Sequence, residues 1–408
     1  MISVEKALKT ILVNFRPLGL EKINILDVRG RVIGEDIFAP RNIPSAANSA
    51  MDGYAVCFAD IKNVPLTLKI IEDIPAGKIA RKKIHKGEAA RIMTGAVIPQ
   101  GADTIIRQED TQKDGKTVMI FIGAQKGENI RFAGEDVRKG ERVIKKGDIL
   151  RPAHIGMLAA LGKASVSVYQ KPRVAIMSTG DELVDIKTDP GPGKIVNSNS
   201  YSLAAQVLEC GAIPILLGIA RDKKSALQKK FKTALNADVI ISSGGVSVGD
   251  FDFVKNVMGE IGNAMHFWQV AMRPGKPLAF GAIEGVPLFG LPGNPVSAMV
   301  SFEQFVRPSL LKMLGNKKIF RQTIRATCTD GFEKKAGFRH FIRAVVRKEN
   351  GQYITTTTGD QGSGILKSMV AANGLIVMGE NETQIKKGST VTVQLLDDSL
   401  YWSESLQL

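Results

Sequence analysis

Three apolar runs in the middle of the chain each lead into a polar or glycine-rich loop that carries a carboxylate. The first run ends at Asp181 and Glu182, the second at Asp222, and the third at Asp250 and Asp252. In an open parallel α/β sheet the carboxyl ends of the strands line the ligand crevice, so we expect these loops to lie together. A hydrated Mg²⁺ takes oxygen ligands and glycine-rich loops bind phosphate groups, so this edge is a candidate site for both.

Helical segments separate the three runs. Residues 197–199 can cap a helix from about Ser200 to Cys210, and Gly211 follows in the position of a C-terminal cap. A second amphipathic stretch covers Ser225 to Leu235. This β-α-β-α-β order with short connections predicts a doubly wound α/β domain.

Small residues fill the loop after the third run. Residues 242–250 leave backbone N–H groups accessible just before a helix expected from Phe251, which is typical of an anion site. Two plainer interpretations stay open. Gly244-Gly245 can serve only to turn the chain, and Asp250 and Asp252 suit a helix N-terminus without any metal.

Two further loops can meet an anion. Arg273 and Lys276 lie three residues apart across a Pro-Gly turn and can hold an oxyanion, although an ordinary basic turn has the same composition. Residues 290–297 end another apolar run and lead into a long helix expected from about Pro295 to Leu314. Proline suits the first turn of a helix, and the start of this helix is a candidate anion site.

The charge of the chain favours anionic ligands. Fifty-five Lys and Arg against 40 Asp and Glu give a formal net charge of +15, which raises the local concentration of anions. Only 6% of the residues are aromatic, and the basic residues occur as scattered pairs rather than one stripe. We therefore predict no nucleic-acid partner.

Cysteine and histidine usage limits the other classes of site. Cys57, Cys210 and Cys328 have no CxxC spacing, and the histidines form no metal-ligand motif, so neither a structural zinc site nor a disulfide scaffold is expected. We find no N-terminal signal and no apolar run of about 18 residues. These observations predict a soluble, cytoplasmic protein that does not associate with a membrane.

Taken together, the motifs resemble those of the MoeA-type molybdopterin molybdenumtransferases, whose eukaryotic relatives include the gephyrin E domain. The matching segments cover essentially the whole chain and follow the family's order. They are SAMDGYAV (49–56), RIMTGA (91–96), IRFAGEDVRKG (130–140), STGDEL (178–183), NSNSYSL (197–203), SSGGVSVGDFD (242–252), RPGKP (273–277), GLPGNPVSA (290–298), FRHFIRA (338–344) and QGSGILKSMVAANGLIVM (361–378).

The resemblance implies an elongated, multidomain α/β plus β subunit that works as a homodimer, with its active site near the dimer interface. The length of 408 residues exceeds what one hydrophobic core normally organises. The expected parts are an N-terminal domain of residues 1–44 and 128–168, an inserted β domain of residues 45–127, a molybdopterin-binding α/β domain of residues 169–318 and a C-terminal β-barrel of residues 319–408.

Local patterns fit this division. Ser3 precedes apolar residues at helical spacing, which predicts a capped N-terminal helix. We expect residues 1–44 to pack with residues 128–168. After about Ile319, β-branched runs alternate with Gly and Asn turns such as residues 349–352, which predicts a small barrel.

The same resemblance implies the chemistry. The substrates would be molybdate and adenylylated molybdopterin, and molybdenum would pass to the dithiolene sulfurs as AMP is released. Mg²⁺ held by carboxylates suits the phosphoanhydride of the adenylate. Matching motifs assign that metal to Glu182, Asp222 and Asp252, with Asp181 beside them.

Matching motifs also imply roles for other residues. Asp52 and Thr94 match functional positions of the inserted domain and would act across the dimer, although Asp52-Gly53 is also a turn signal. Pro292 and Pro295 would shape their loop. The pterin or phosphate would lie against Ser243, Gly244, Gly245, Ser247, Gly249 and Asp250. Molybdate would lie against Arg273, Lys276, Ser297, Arg343 and Ser363.

Two positions depart from the family pattern. Gln269 stands where relatives often have lysine, and Arg273 stands where the basic turn often starts with lysine. Arginine keeps the charge but offers a planar fork, so the choice between molybdate and tungstate is left open. No residue is assigned as a general base.

Two other functions remain to be tested against this one. A molybdopterin adenylyltransferase would make the adenylate from ATP, and a gephyrin-like scaffold would only bind partners. The expected protein partners of an insertase are the molybdopterin adenylyltransferase and apo-molybdoenzyme chaperones.

Overall fold

The computed structural model describes residues 1–244 and 263–401. Residues 1–172 contain two α-helices, three short 3-10 helices and twelve strands. The α-helices are α1 (Val4–Leu12) and α2 (Pro152–Ala160). The strands are β1 (Leu20–Asn24), β2 (Ile37–Phe38), β3 (Asn48–Ser49), β4 (Gly53–Val56), β5 (Leu66–Ile74), β6 (Glu88–Ile92), β7 (Thr104–Arg107), β8 (Thr111–Asp114), β9 (Thr117–Ile120), β10 (Ile130–Arg131), β11 (Arg142–Ile144) and β12 (Ser165–Tyr169).

A curled six-stranded sheet occupies residues 53–120, with strand order β7-β4-β6-β5-β9-β8. Side chains alternate across a strand, so β4 supplies both faces: Tyr54 and Val56 join one apolar cluster and Ala55 joins the other. Before and after this sheet the chain pairs with itself. Strand β1 is antiparallel to β12, and β2 is antiparallel to β11.

Helix α1 begins as its sequence predicts but packs elsewhere. The Ser3 hydroxyl accepts a hydrogen bond from the Lys6 N–H at 3.2 Å, which caps the helix. Its buried face, continued by Phe15, lies in the core of the central α/β sheet rather than with residues 128–168. Phe15 stacks on Phe289 with ring centroids 5.8 Å apart. The domain bounds given above stay predictions.

The central region forms a mixed α/β sheet with order β16-β13-β17-β21-β20-β18. Strands β13, β16, β17 and β21 are parallel, and β20 and β18 run antiparallel to their neighbours. The elements are β13 (Arg173–Thr179), β14 (Leu183–Val184), β15 (Ile195–Val196), α3 (Asn199–Glu209), β16 (Ile213–Ala220), α4 (Lys224–Ala234), β17 (Val239–Ser243), β18 (Asn263–Gln269), β19 (Met272–Arg273), β20 (Pro277–Ile283), β21 (Val286–Leu291), α5 (Pro295–Ser301) and α6 (Arg307–Met313).

Helices cover both faces of this sheet, as a doubly wound fold requires. On β13, Ile176 packs in the cluster of α3, and Met177, one residue later, packs in the cluster of α4. Both helices begin one residue before the predicted position. The long helix expected to Leu314 is interrupted by a π-helical turn, Phe302–Val306, between α5 and α6.

The C-terminal region is a closed barrel. Its elements are β22 (Thr323–Cys328), β23 (Phe332–Glu333), β24 (Arg339–Glu349), β25 (Gln352–Thr357), α7 (Leu366–Ala371), β26 (Gly374–Met378), β27 (Gln384–Ile385) and β28 (Thr390–Leu395). The order β24-β25-β22-β28-β26 closes because β26 also pairs with β24. The predicted turn at residues 349–352 is present, with positive φ at Asn350 and Gly351.

Short backbone pairings join the barrel to the α/β sheet. Strand β19 runs parallel to β24, with Met272 opposite Arg339. On the other side, the N–H of Ile2 donates to the Gln269 carbonyl at 3.2 Å, and the Ala271 N–H donates to the Ile2 carbonyl at 2.8 Å. The segment before the basic turn is thus held from two sides. No helix in the described part of the chain has the length and apolarity to span a membrane.

Candidate functional site

A cavity of about 490 Å³ opens at the carboxyl ends of β13, β17 and β21. The carboxylates of Glu182 and Asp222 line it together. The end of β17 adds Ser243 and Gly244. The loop after β21 and the start of α5 add Pro292, Gly293, Asn294, Pro295 and Ser297. The structure therefore brings together the strand ends that the sequence pointed to.

Backbone hydrogen bonds connect the two carboxylate loops. The Asp181 N–H donates to the Asp222 carboxylate at 3.2 Å, and the Asp222 N–H donates to the Asp181 carboxylate at 3.3 Å. The cations of Lys194 and Arg221 both donate to the Asp181 carbonyl, at 2.7 and 3.1 Å. These contacts fix where the Asp222 side chain stands relative to Glu182.

The described residues include two of the three predicted magnesium ligands. Asp252 lies outside them, as do Gly245, Ser247, Gly249 and Asp250. Within residues 1–244 and 263–401, no group of three His, Cys, Asp or Glu side chains is arranged to hold a metal ion. Glu182 and Asp222 alone still offer the oxygen donors that suit Mg²⁺.

Asn199 joins two walls of the cavity, a role that the sequence did not indicate. Its amide nitrogen donates to the Ser243 hydroxyl and to the Gly293 carbonyl, both at 2.8 Å. The Ser243 hydroxyl in turn donates to the Pro292 carbonyl at 3.2 Å. Sequence reasoning treated Asn199 as a helix cap, because a capping asparagine and a bridging asparagine have the same local pattern.

Buried polar side chains support the base of the cavity. The Ser178 hydroxyl lies 2.9 Å from both the Asn197 side-chain oxygen and the Ser200 hydroxyl. Thr179, which lines the cavity, is 3% exposed, and its hydroxyl has no hydrogen-bond partner among the described residues.

Gly244 permits the close approach of β13 and β17 at this edge. Its φ of +89° lies in the left-handed region, and a Cβ atom there would lie 2.5 Å from the Thr179 carbonyl oxygen. A side chain at this position would therefore strain the backbone and separate the two loops.

A second cavity of about 460 Å³ shares a wall with the first. Pro277, Asn294 and Ser297 line both. The second cavity also meets the barrel strand β24 and the loop that follows β25. All five residues matched to molybdate line it: Arg273, Lys276, Ser297, Arg343 and Ser363.

Phe338 organises the two cations of the basic turn. The Arg273 guanidinium carbon lies 4.9 Å from the centroid of the Phe338 ring, and Lys276 Nζ lies 5.8 Å from it. Cation–π attraction holds both charges at the mouth of the cavity. Phe338 belongs to the FRHFIRA motif, but spacing alone did not connect it with residues more than 60 positions away.

Arg343 brings a desolvated cation to the second cavity. Its side chain is 1% exposed, and burial lowers the pKa of its guanidinium, an effect that Asp360 partly opposes. Nε donates to the Ser368 hydroxyl and a terminal nitrogen donates to the Gly362 carbonyl, both at 3.1 Å. The described part of the chain provides no ion-pair partner for it.

The loop that carries Ser363 is attached to the start of α5. Asn294 donates from its amide nitrogen to the Ser363 hydroxyl at 2.9 Å, and the Val296 N–H donates to the Ser363 carbonyl at 3.2 Å. Because Asn294 lines both cavities, this contact connects the barrel to the first cavity as well.

His340 also lines the second cavity, beside Arg273 and Lys276. Burial lowers the pKa of its imidazole to about 4, and the charges of Lys334 and Arg273 act in the same direction. The motif analysis assigns it no role, because the four histidines fit no metal-binding motif.

Asp52 and Thr94 contact each other and line neither cavity. The backbone N–H and the hydroxyl of Thr94 both donate to the same Asp52 oxygen at 2.7 Å. Both hydrogen bonds lower the pKa of the Asp52 carboxyl, and the one from the Thr94 backbone has the larger effect. The pair joins the residue before β4 to the segment that follows β6, at the end of the sheet where Gly53 pairs with Ile92.

Comparison with known proteins agrees with this geometry along the whole chain. Residues 2–162 match the MoeA N-terminal region (domain I and II), residues 175–312 a probable molybdopterin binding domain, and residues 325–396 the MoeA C-terminal region (domain IV). The molybdopterin molybdenumtransferase of Haemophilus influenzae is 38% identical over 384 residues, which are 93% of this chain and 94% of that protein. The Bacillus subtilis molybdopterin molybdenumtransferase is 36% identical over 97% of this chain and 94% of its own length.

The chain belongs to the MoeA family of molybdopterin molybdenumtransferases.

The solved structures agree with this family. The crystal structure of the molybdopterin biosynthesis moeA protein from Pyrococcus horikoshii OT3 superimposes with a TM-score of 0.83 at 32% identity, covering 97% of this chain and all of that one (100%). In family terms, the first cavity lies within the molybdopterin-binding segment. The second is formed between that segment and the MoeA C-terminal region.

Proposed function

We propose that this chain transfers molybdenum from molybdate to the dithiolene sulfurs of adenylylated molybdopterin, with release of AMP. The shared wall of the two cavities carries the proposal, since Pro277, Asn294 and Ser297 line both. A pterin nucleotide in the first cavity would lie beside an oxyanion in the second. Holding two reactants side by side removes most of the entropic barrier to transfer between them.

The first cavity is assigned to adenylylated molybdopterin. Glu182 and Asp222 supply carboxylate oxygens for Mg²⁺, and Asp252 is the third proposed ligand. Bound Mg²⁺ would neutralise charge on the phosphoanhydride. The chain itself contributes orientation: hydrogen bonds fix the Asp222 loop, and Asn199 fixes the loops after β17 and β21.

The second cavity is assigned to molybdate. A dianion needs several donors and positive charge, and Arg273, Lys276 and Arg343 supply three cations there. Ser297 and Ser363 add hydroxyl groups. Arg343 is the strongest of these sites for an anion, because a buried guanidinium has lost water that the ligand can replace.

Assembly and location complete the proposal. The protein works as a cytoplasmic homodimer in which Asp52 and Thr94 of one subunit approach the cavities of the other. The exposure of the turn that holds them fits that role, since neither residue meets the cavities of its own chain. Its protein partners are the molybdopterin adenylyltransferase and apo-molybdoenzyme chaperones.

The test is AMP release from adenylylated molybdopterin by the purified protein. We expect AMP release that needs Mg²⁺ and is stimulated by molybdate, with molybdenum recovered on the pterin. Adenylate formation from ATP and molybdopterin would instead identify an adenylyltransferase, and the absence of both activities would favour a scaffold.

A double variant tests the second cavity separately. Arg273→Ala with Lys276→Ala should shift the molybdate concentration curve to higher values, since two cations at the cavity mouth are lost. The matched control is Lys386→Ala with Lys387→Ala, which removes two exposed charges from the barrel. Equal curves for the two double variants would remove the basic turn from the molybdate site.

A further inference from the structure

The His340 side chain lines the second cavity beside Arg273 and Lys276. Its imidazole meets the edge of the Phe332 ring, with centroids 6.1 Å apart. No side chain or backbone group of residues 1–244 and 263–401 makes a hydrogen bond to its ring nitrogens. A polar ring that lines a cavity without a protein partner is available to whatever fills that cavity.

The surroundings of His340 are strongly positive. The charged groups on the elements packed around it are Arg273 and Lys276 on the basic turn, Lys334 after β23, Arg339 and Arg343 on its own strand, and Glu380 after β26. Carboxylates offset part of this charge: Glu380 pairs with Arg339 at 3.1 Å, Glu5 also pairs with Arg339, and Glu382 acts with Glu380 on Lys334. Lys334 and Arg273 act directly on the imidazole, and both oppose its protonation.

We propose that His340 couples oxyanion binding to proton uptake: its imidazole is neutral without the ligand and takes a proton from solvent when a tetrahedral dianion binds beside Arg273 and Lys276. The inference rests on the proposed assignment of this cavity to molybdate.

The physical reason is a reversal of the local charge. Without a ligand, neighbouring cations and burial disfavour an imidazolium ion. A dianion within a few ångströms adds two negative charges and offers a hydrogen-bond acceptor. Both contributions favour the protonated imidazole and so raise its pKa. Protonated His340 would then contribute a third mobile donor beside the fixed Arg343.

The coupling has a definite pH signature. A group whose pKa is higher in the complex than in the free protein strengthens binding at low pH and loses that effect as pH rises through the bound pKa. Because the pKa in the free protein is about 4, a rise on binding makes molybdate affinity higher at pH 6.5 than at pH 8.0, and the ratio of the two affinities measures the rise.

Calorimetry of molybdate binding to the full-length protein tests the coupling. Titrations at pH 6.5 in two buffers with different protonation enthalpies give the number of protons taken up per molybdate bound. We expect net proton uptake by the wild-type protein and by the control variant His85→Gln, which changes an exposed imidazole between β5 and β6. We expect His340→Gln to bind molybdate without uptake and with a flatter pH dependence.

The outcomes separate the two assignments. Wild-type binding without proton uptake would overturn the role of His340 and leave the molybdate cavity standing. Uptake that persists in His340→Gln would place the proton on another group and would also overturn it. No molybdate binding by the wild-type protein at either pH would overturn both. Wild-type uptake is measured without any substitution, so a poorly folded variant cannot mask a negative result.

Discussion

Replacing Arg343 by methionine should weaken oxyanion binding strongly at little cost to folding. Burying a charged group costs several kcal/mol of desolvation free energy. The two hydrogen bonds from the guanidinium return about 1.5–3 kcal/mol each. These contributions nearly cancel, so we expect the free energy of unfolding to change by no more than about 2 kcal/mol in Arg343→Met. The Ser368 hydroxyl keeps its bond to the Ile365 carbonyl at 2.6 Å.

Molybdate binding should respond much more strongly. Removing one partner of a buried, hydrogen-bonded charge pair costs about 2–5 kcal/mol, which is roughly 30-fold to a few thousandfold in Kd. Calorimetric titration with molybdate measures this loss, and urea unfolding measures stability. Arg325→Met is the matched control, since Arg325 lies in the same barrel and also makes two hydrogen bonds, to Thr392 and Thr390, but is exposed.

Two results would refute this reasoning. A loss of more than about 4 kcal/mol in Arg343→Met would show that the guanidinium is a structural group whose hydrogen bonds outweigh its desolvation cost. Equal molybdate affinity in Arg343→Met and Arg325→Met would show that the buried cation does not meet the anion.

Three further predictions concern the first cavity and the inserted sheet. Asp222→Asn should lower Mg²⁺-dependent AMP release at least tenfold, while Asp238→Asn at the opposite end of the same sheet leaves it unchanged; equal rates would remove Asp222 from the metal site. Gly244→Ala should destabilise the protein by about 1–3 kcal/mol more than Gly285→Ala. Both glycines have a positive φ, but of the two only Gly244 would bring its new Cβ against a neighbouring carbonyl. Thermal unfolding of the two variants measures the difference. The pKa of the Asp52 carboxyl is lowered in the folded state, so this group stabilises the protein above its unfolded pKa and loses that effect as pH falls. The stability of Asp52→Ala should therefore depend less on pH below about pH 4. An unchanged acid unfolding profile would contradict this.

Local signals in the sequence predicted the elements well. The cap and the closing glycine located α3 to within one residue, and Asn350-Gly351 located the β24–β25 hairpin. The carboxylates at Glu182 and Asp222 were expected to converge because parallel strands end at one edge. These predictions depend on rules that act over a few residues or on the topology of the sheet.

The same rules cannot predict which distant parts of the chain contact each other. The apolar face of α1 predicted that the helix is buried but not which core receives it. Asn199 fits a helix cap, and only the folded loops show that it bridges Ser243 and Gly293. In the sequence, nothing distinguishes Phe338 from other apolar residues of the barrel region. Only the folded structure shows the Arg273 guanidinium over its ring.

The shared wall between the two cavities also sets an order in time. Chains fold from the N-terminus as they are synthesised, domain by domain. The described lining of the first cavity ends at Ser297, whereas the second needs Arg343 and Ser363 from the barrel. On the ribosome, the described residues of the first cavity are therefore all synthesised before those of the second are complete. Under the proposed assignments, a chain that stops before the barrel would keep the described lining of the pterin cavity and would lack Arg343 and Ser363 of the molybdate cavity.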